Sequence, residues 1–319
     1  MLNTVFLNAE KLDFDHKLDY SPLAKITHFT KYDDSTETQI LERVQDQAII
    51  ITKELPVSGD LIRQFPPTVK VICEAGTGYN NIDIAAAKEK NITVCNVPSY
   101  STEAVAQLVI TFILNLSASM KQQELMLQRK DFSNFTDRLQ VPHFELQGKT
   151  LGIIGAGDIG KATIRIARAL GMNVLAYTRT AREWGDPAVR SVSLEEALRE
   201  SDFVSIHCPL TPDTRHLINY DRISLMKRTA YIINTARGPV IKEADMIAAL
   251  KQGLIAGAAL DVQEVEPPAA DNPLFAMDNV IMTPHIGWRR LESRQRLVDL
   301  TSRNIEAYLQ GQLINVVNK

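Results

Sequence analysis

The sequence is short of several things, and each shortage removes a class of protein. Only three cysteines occur, Cys73, Cys95 and Cys208. They are widely spaced, odd in number and in no metal-ligand pattern, so neither a disulfide framework nor a metal site is readable. Free thiols in a reducing cytoplasm are the simplest expectation. Neither sign of charge dominates: 35 basic residues face 38 acidic ones, for a net charge of −3. With no basic run, nothing points to nucleic acid as a partner. Long apolar runs are missing too. The longest greasy stretch, Ala104 to Met120, is interrupted by Gln107, Thr111, Asn115, Ser117 and Ser119. A membrane helix needs roughly 20 mostly apolar residues, so one long packed helix is expected there. No basic region precedes Val5-Phe6-Leu7, which predicts a first β-strand rather than a signal peptide. Internal repeats and low-complexity tracts are absent.

What is present is ample apolar material. Of 319 residues, 45% are hydrophobic and 23% charged, enough for two cores. From Lys149 to about Asn279, short apolar runs alternate with helical patterns. Strands are predicted at Leu151–Ile154, Asn173–Tyr177, Phe203–His207, Ala230–Asn234, Ile255–Leu260 and Val280–Met282. Helices are predicted at Ile159–Leu170, Leu194–Arg199 and Glu243–Leu250. Such alternation predicts an α/β fold, a doubly wound parallel sheet with helices on both faces. The first hundred residues repeat the style less cleanly, with strands at Val5–Leu7, Ala48–Ile51, Val69–Cys73 and Thr93–Cys95. Helices fall between them at Thr36–Val44 and Ile82–Glu89. Those strands are few for a free-standing sheet. The amphipathic helix Leu291–Leu309 is therefore expected to return and pack on this first domain, with a crossover near Pro98. The expected division is residues 1–98 plus 288–319, and residues 99–287.

Gly155, Gly157 and Gly160 form a GxGxxG turn after a strand and at the start of a helix. The first glycine permits a tight turn, the second a close approach to a pyrophosphate, and the third close helix packing. The helix N-terminus adds free N–H groups and partial positive charge. A glycine turn without ligand is the bland alternative. An NAD site usually carries an acid at the end of the next strand to bond the ribose 2′-OH. Here that strand runs into Thr178, Arg179 and Thr180, with Arg182 close by. This favours NADP(H), with NAD(H) as the alternative and a solvated loop charge as the plain reading of Arg179.

Arg237, Glu266 and His285 each follow an apolar run that reads as a strand. Singly, each has a bland reading as a loop charge or a buried histidine. Together they suit one reaction. Arginine presents a planar, permanently charged fork to a carboxylate. Histidine donates a proton near neutral pH. A glutamate beside it orients the ring and favours the charged imidazole.

With these motifs in order, the chain resembles the D-isomer-specific 2-hydroxyacid dehydrogenase family over essentially its whole length. The resemblance implies a Rossmann nucleotide domain inserted into a split flavodoxin-like substrate domain. It implies cofactor contacts at Asp158, Ile159, Thr178, Cys208, Pro209, Thr214, Thr235, Ala236 and Asp261. It also implies a substrate loop at Ala75, Gly76, Thr77 and Gly78, whose N–H groups bind a carboxylate beside Arg237; a simple turn is the other reading of those glycines. The stretch from Asn96 to Gln107 and Trp288 after His285-Ile286-Gly287 resemble the glycerate dehydrogenase (hydroxypyruvate or glyoxylate reductase) group. Trp288 could wall the pocket or pack between domains. Glu266 argues against formate dehydrogenase, whose relatives lack it. The expected activity is reduction of hydroxypyruvate or glyoxylate by a cytoplasmic homodimer that contacts neither membrane nor nucleic acid. The dimer is expected to form through the helix Thr102–Met120 and the segment after it. Rival readings are 3-phosphoglycerate dehydrogenase, phosphite dehydrogenase and a dinucleotide-sensing corepressor.

Overall fold

A computed structural model describes residues 1–180 and 182–319. The chain divides into two compact units, Met1–Ser101 with Trp288–Lys319, and Thr102–Gly287. In the first unit the strands are β1 (Asn3–Phe6), β2 (His28–Lys31), β3 (Ile49–Thr52), β4 (Val71–Glu74) and β5 (Thr93–Cys95). All pair in parallel, in the order β2-β1-β3-β4-β5, which is the flavodoxin order. In the second unit they are β6 (Thr150–Ile154), β7 (Asn173–Tyr177), β8 (Val189–Ser191), β9 (Phe203–Ile206), β10 (Tyr231–Asn234), β11 (Gly257–Leu260) and β12 (Val280–Met282). Their order, β12-β11-β10-β9-β6-β7-β8, is the Rossmann order with one strand added at the far edge.

The central strands are buried on both faces, as Ile49–Thr52, Phe203–Ile206 and Tyr231–Asn234 show. Helices cover both sides of a parallel sheet, so such strands read as continuous apolar runs and were predicted. The two strands that sequence reasoning missed are edge strands. His28–Lys31 is mostly exposed and polar, and Val189–Ser191 is only three residues long. With His28–Lys31 included, the first sheet has five strands.

The helix expected from Ala104 to Met120 is two helices. Thr102–Ser117 is largely buried and packs on Asp158–Ala169. Ser119 then takes a left-handed backbone, φ 50°, and Met120–Gln128 starts in a new direction with none of its residues buried. Among the described residues no single helix is long and apolar enough to cross a membrane.

Leu291–Leu309 packs in the first unit, its apolar face formed by Leu297, Val298 and Ile305. Arg294, on the same helix, is fully buried. It donates to both carboxylate oxygens of Asp15 at 2.8 Å and to the carbonyl of Leu12 at 3.0 Å. A buried guanidinium tolerates burial only with such a full set of acceptors, so this pairing fixes where the returning helix docks. The cysteines hold another finding. Cys73 and Cys95 lie in register on β4 and β5, their sulfurs 3.0 Å apart as free thiols.

Candidate active site

Every second-unit residue singled out from the sequence follows the C-terminal end of a strand, at the edge where open α/β sheets bind ligands. The glycine turn follows β6, and its three glycines are needed for three different reasons. Gly155 has φ +94°, and a Cβ there would lie 2.8 Å from the Cys208 nitrogen. A Cβ on Gly160 would lie 2.5 Å from the Gly155 carbonyl oxygen. A Cβ on Gly157 would meet none of the described residues within 4 Å. Gly157 is also the N-cap of the 12-residue helix Asp158–Ala169, and among the described residues no side chain hydrogen-bonds as its cap. Open space thus stands before a helix N-terminus with Asp158 and Ile159 in its first turn, which is what a pyrophosphate needs.

The other cofactor candidates surround this turn. Thr178, after β7, donates its hydroxyl to the Thr180 carbonyl at 2.6 Å. Arg179 is exposed and, among the described residues, pairs with no carboxylate. Arg182 donates to the carbonyl of Ala156 at 3.3 Å, inside the glycine turn. After β9, Cys208 packs its backbone against Gly155, and burial pushes its thiol up to about 11. Thr214 bonds the Pro209 carbonyl at 2.6 Å and accepts from the Thr211 N–H at 2.7 Å, which closes the loop that carries Pro209. After β10, the Thr235 hydroxyl is buried with no partner among the described residues. An orphaned buried donor is costly, and it marks a place where a ligand would supply an acceptor. The open space at Gly157, the uncapped helix and the Thr235 hydroxyl together fit a dinucleotide.

Asn234, the last residue of β10, shapes the turn that follows. Its side chain accepts from the Ala236 N–H at 3.0 Å and donates to the Arg237 carbonyl at 2.9 Å. Gly238 then lies so close to the next loop that a Cβ would be 1.7 Å from the Gln263 oxygen. Only glycine allows Arg237 to approach the Gln263–Glu266 segment in this way.

Asp261 is almost fully buried at the end of β11. It accepts from the Thr283 hydroxyl at 2.6 Å, the Ile286 N–H at 2.8 Å and the Gly287 N–H at 2.9 Å. Its main role in the chain itself is therefore to hold the loop around His285, a role sequence reasoning did not foresee. The hold matters because His285 sits at φ +52°, a strained conformation for a residue with a side chain. Its own N–H is anchored on the Asp261 carbonyl at 2.9 Å.

From that position His285 Nδ1 donates to Glu266 Oε2 at 2.9 Å. The other carboxylate oxygen of Glu266 accepts from the Gln263 N–H at 3.0 Å, so the carboxylate cannot swing. Burial works against ionisation of Glu266. The hydrogen bond and charge of His285, the Gln263 N–H and the charge of Arg237 outweigh it and hold the carboxyl below its ordinary range. The side chains of His285 and Glu266 are 28% and 37% exposed, so a small molecule can reach the pair. Nε2 of His285 is left without a partner among the described residues. His207, after β9, is a titratable group sequence reasoning passed over. Burial lowers it to about 4, so it is neutral at physiological pH, and its Nε2 shares a hydrogen bond with the Ser205 hydroxyl at 2.9 Å.

In the first unit the loop Ala75–Gly78 follows β4. It is fixed by Ala75 N–H to the Thr52 carbonyl at 2.7 Å, Val97 N–H to the Gly76 carbonyl at 2.8 Å and the Thr77 hydroxyl to the Val97 carbonyl at 3.0 Å. The N–H groups of Gly76, Thr77 and Gly78 donate to nothing among the described residues. Two buried charges lie against it. Glu74 accepts from the Thr52 hydroxyl, the Glu54 N–H and the Asn81 amide at 2.8–2.9 Å, and burial raises its carboxyl despite those bonds. Lys53 is 1% exposed, with its ammonium 2.6 Å from Glu54 and 4.2 Å over the Trp288 ring. A Cβ on Gly76 would lie 3.2 Å from Glu74 Oε1 and 3.6 Å from Lys53 Nζ. Trp288 is a core residue of this unit, 6% exposed, packed in the same apolar cluster as Tyr100 and Leu297. No pattern in the sequence marks Lys53 or Glu74, because a lone charge between apolar runs looks like a loop residue.

Comparison with known proteins agrees with this geometry. The sequence model of the D-isomer specific 2-hydroxyacid dehydrogenase, NAD binding domain, matches residues 110–287. The chain is 38% identical over 312 residues to a hydroxypyruvate reductase of Blautia hydrogenotrophica, covering 95% of each chain. It is 37% identical over 319 residues to a glycerate dehydrogenase of Methylorubrum extorquens, covering 98% of each. Its structure is similar to that of a D-lactate dehydrogenase from Aquifex aeolicus complexed with NAD and lactic acid, with a TM-score of 0.85, 31% identity and 99% of each chain covered. Two parallel sheets in flavodoxin and Rossmann order, a glycine turn open to a pyrophosphate, and a glutamate–histidine pair with an arginine near it are thus explained together: the chain belongs to the D-isomer specific 2-hydroxyacid dehydrogenase family, and is an enzyme that uses a nicotinamide cofactor.

Proposed function

We propose that the enzyme reduces a small 2-oxo acid, hydroxypyruvate or glyoxylate, to the D-2-hydroxy acid. The observation that carries this reading is the hydrogen bond from His285 Nδ1 to Glu266 Oε2 within reach of the Arg237 charge. Arg237 binds the substrate carboxylate and polarises the neighbouring carbonyl. His285 presents Nε2 to the carbonyl oxygen and gives it a proton as it becomes an alkoxide. Glu266 keeps the ring oriented and favours its protonated form before transfer. In the first unit, the N–H groups of Gly76, Thr77 and Gly78 are donors of the kind that a carboxylate accepts from. When bound, a reduced nicotinamide supplies the hydride. Gly155, Gly157, Asp158, Ile159 and Gly160 would hold its pyrophosphate. Cys208, Pro209, Thr214, Thr235, Ala236 and Asp261 would line its remaining length.

NADP(H) is the favoured form. No acid stands at Thr178 to bond a 2′-OH or repel a 2′-phosphate, and Arg179 has no carboxylate partner among the described residues. A homodimer and a cytoplasmic location complete the reading. Met120, Leu127, Phe132, Phe135 and Leu139 are all exposed on the segment after Ser119, and a second copy of the chain would cover them. Three free thiols fit a reducing compartment.

Initial rates for hydroxypyruvate, glyoxylate, pyruvate and phosphohydroxypyruvate, each with NADH and NADPH, test this directly. Hydroxypyruvate or glyoxylate with NADPH should give the highest kcat/KM. Arg179→Ala should weaken NADPH alone, by about tenfold or more, since a hydrogen bond to a charged group is worth roughly 1.5–3 kcal/mol. A preference for NADH that survives Arg179→Ala unchanged would remove the NADP reading. No turnover on any of the four acids would remove the substrate reading.

A further inference from the structure

A second carboxylate–imidazole pair lies on the same loop as the first. His216 Nε2 donates to Glu264 Oε1 at 2.6 Å. The other oxygen of Glu264 accepts from the Glu243 N–H at 3.0 Å, and the Glu264 N–H donates to Glu243 Oε2 at 3.2 Å. Glu243 is itself held by the Asn272 amide at 2.8 Å. His216 sits at φ +53°, with its N–H on the Pro239 carbonyl at 2.8 Å. Glu264 therefore ties together three loops: the one carrying His216, the one from Arg237 to Glu243, and its own.

The position of this knot is informative. On one side of Glu264, Gln263 meets the Gly238 backbone with no room for a Cβ, next to Arg237. On the other side lies Glu266, whose Oε1 is held by the Gln263 N–H and whose Oε2 meets His285. The charges facing Glu264 are His216, Arg215 and Glu243. Burial opposes its ionisation, but the Glu243 N–H and the two basic neighbours win and keep it low. Lys242 and Asp245 pair with each other beside His216. None of these groups is His285, so Glu264 reaches His285 only through the loop.

We propose that Glu264 is a positioning residue: its pairing with His216 and Glu243 locks the Gln263–Glu266 turn against the Arg237–Gly238 segment and so fixes Glu266 for His285. The proposal rests on the catalytic reading of Arg237, Glu266 and His285.

Glu264→Ala should lower kcat by about 10–10²-fold, the scale of an ångström's misplacement. It should also move the upper limb of the pH profile for reduction to lower pH, because a loosened Glu266 stabilises the His285 imidazolium less. Cofactor KM should not change. Glu264→Gln keeps an acceptor for the Glu243 N–H and should regain most of kcat. In a Glu266→Gln background, Glu264→Ala should cost little more, since both act through one carboxylate. A residue that only stabilised the fold would lower the melting temperature and leave both kcat per folded enzyme and the pH limb as in the wild type; that result overturns the proposal. If Glu264→Ala does not fold, His216→Gln decides by the same two readouts, and no change in either overturns it. His285→Ala is measured alongside. If it retains wild-type kcat, the catalytic reading has failed. If it loses activity while Glu264→Ala does not, only the positioning role has failed.

Discussion

The loop after β6 and the loop after β4 both carry backbone N–H groups proposed for a ligand, but they are supported differently. In Gly155–Gly160 the donors belong to the first turn of a 12-residue helix that, among the described residues, no side chain caps. The helix dipole supplies the positive potential, and the nearest side-chain requirement is emptiness at Gly157. In Ala75–Gly78 the next helix, Ile84–Glu89, starts several residues later with Asp83 as its cap. Here the loop is clamped by hydrogen bonds to Thr52 of β3 and to Val97, two residues past β5, and lies against buried Lys53 and Glu74. One device uses backbone alone. The other depends on side chains brought in from neighbouring strands. The first was visible as a motif; the supports of the second were not.

Three substitutions sharpen that contrast. The largest effect belongs to neither loop. His285→Ala should reduce kcat for 2-oxo acid reduction by about 10²–10⁴-fold, the usual cost of a lost proton donor. Cofactor binding should survive, and an unchanged kcat would take His285 out of the reaction. The two loops should then separate cleanly. Gly157→Ala suffers no clash and needs no unusual φ, so the fold should keep its melting temperature. The added methyl fills the space left for a pyrophosphate, and cofactor affinity should fall by about 10–10²-fold, in line with roughly 1–3 kcal/mol for overpacking. Gly76→Ala crowds the Glu74 carboxylate instead, and should raise KM for the 2-oxo acid while leaving cofactor affinity intact. Should each variant disturb both ligands equally, the loops do not divide the work in this way.

The smallest effect is a shift in pH dependence. The depressed carboxyl of Glu266 keeps it ionised at neutral pH, so its support for the fold and for His285 is present above its ordinary value of 4.5 and fades only as pH falls below that. Reduction requires protonated His285. With Glu266→Gln the imidazolium loses its stabilising charge, the proton leaves at lower pH, and the upper limb should move down. Because both side chains are partly solvated, the movement should be small. A limb that moves up, or not at all, would argue against the pairing.

Particular residues show why some of the molecule was legible and some was not. Ile49–Thr52 and Tyr231–Asn234 announce themselves because burial on both faces demands unbroken apolar runs. His28–Lys31 does not, because an edge strand is held by ladder bonds that any residue makes. The helix break at Ser119 carries no proline or glycine. It is set by packing, with the Ser119 hydroxyl and the Phe144 N–H meeting carbonyls across that junction, at Pro142 and Ser117. Glu264 and His216 are 48 residues apart, and neither sits in a pattern that requires the other.

By itself, then, the sequence determined the alternation of strands and helices, the glycine turn, and an arginine, a glutamate and a histidine after three apolar strands. Those features are local: they follow from the period of apolar residues and from the backbone freedom of glycine within a few positions. The tertiary structure alone decided that Asp261 holds the His285 loop, that Gly238 lets Arg237 approach Gln263, that Lys53 lies against the Gly76 loop, and that Glu264 joins three loops. Each is a hydrogen bond or close approach between segments distant in the chain. Its partners are chosen by the register and order of parallel strands, which no stretch of residues specifies without the others.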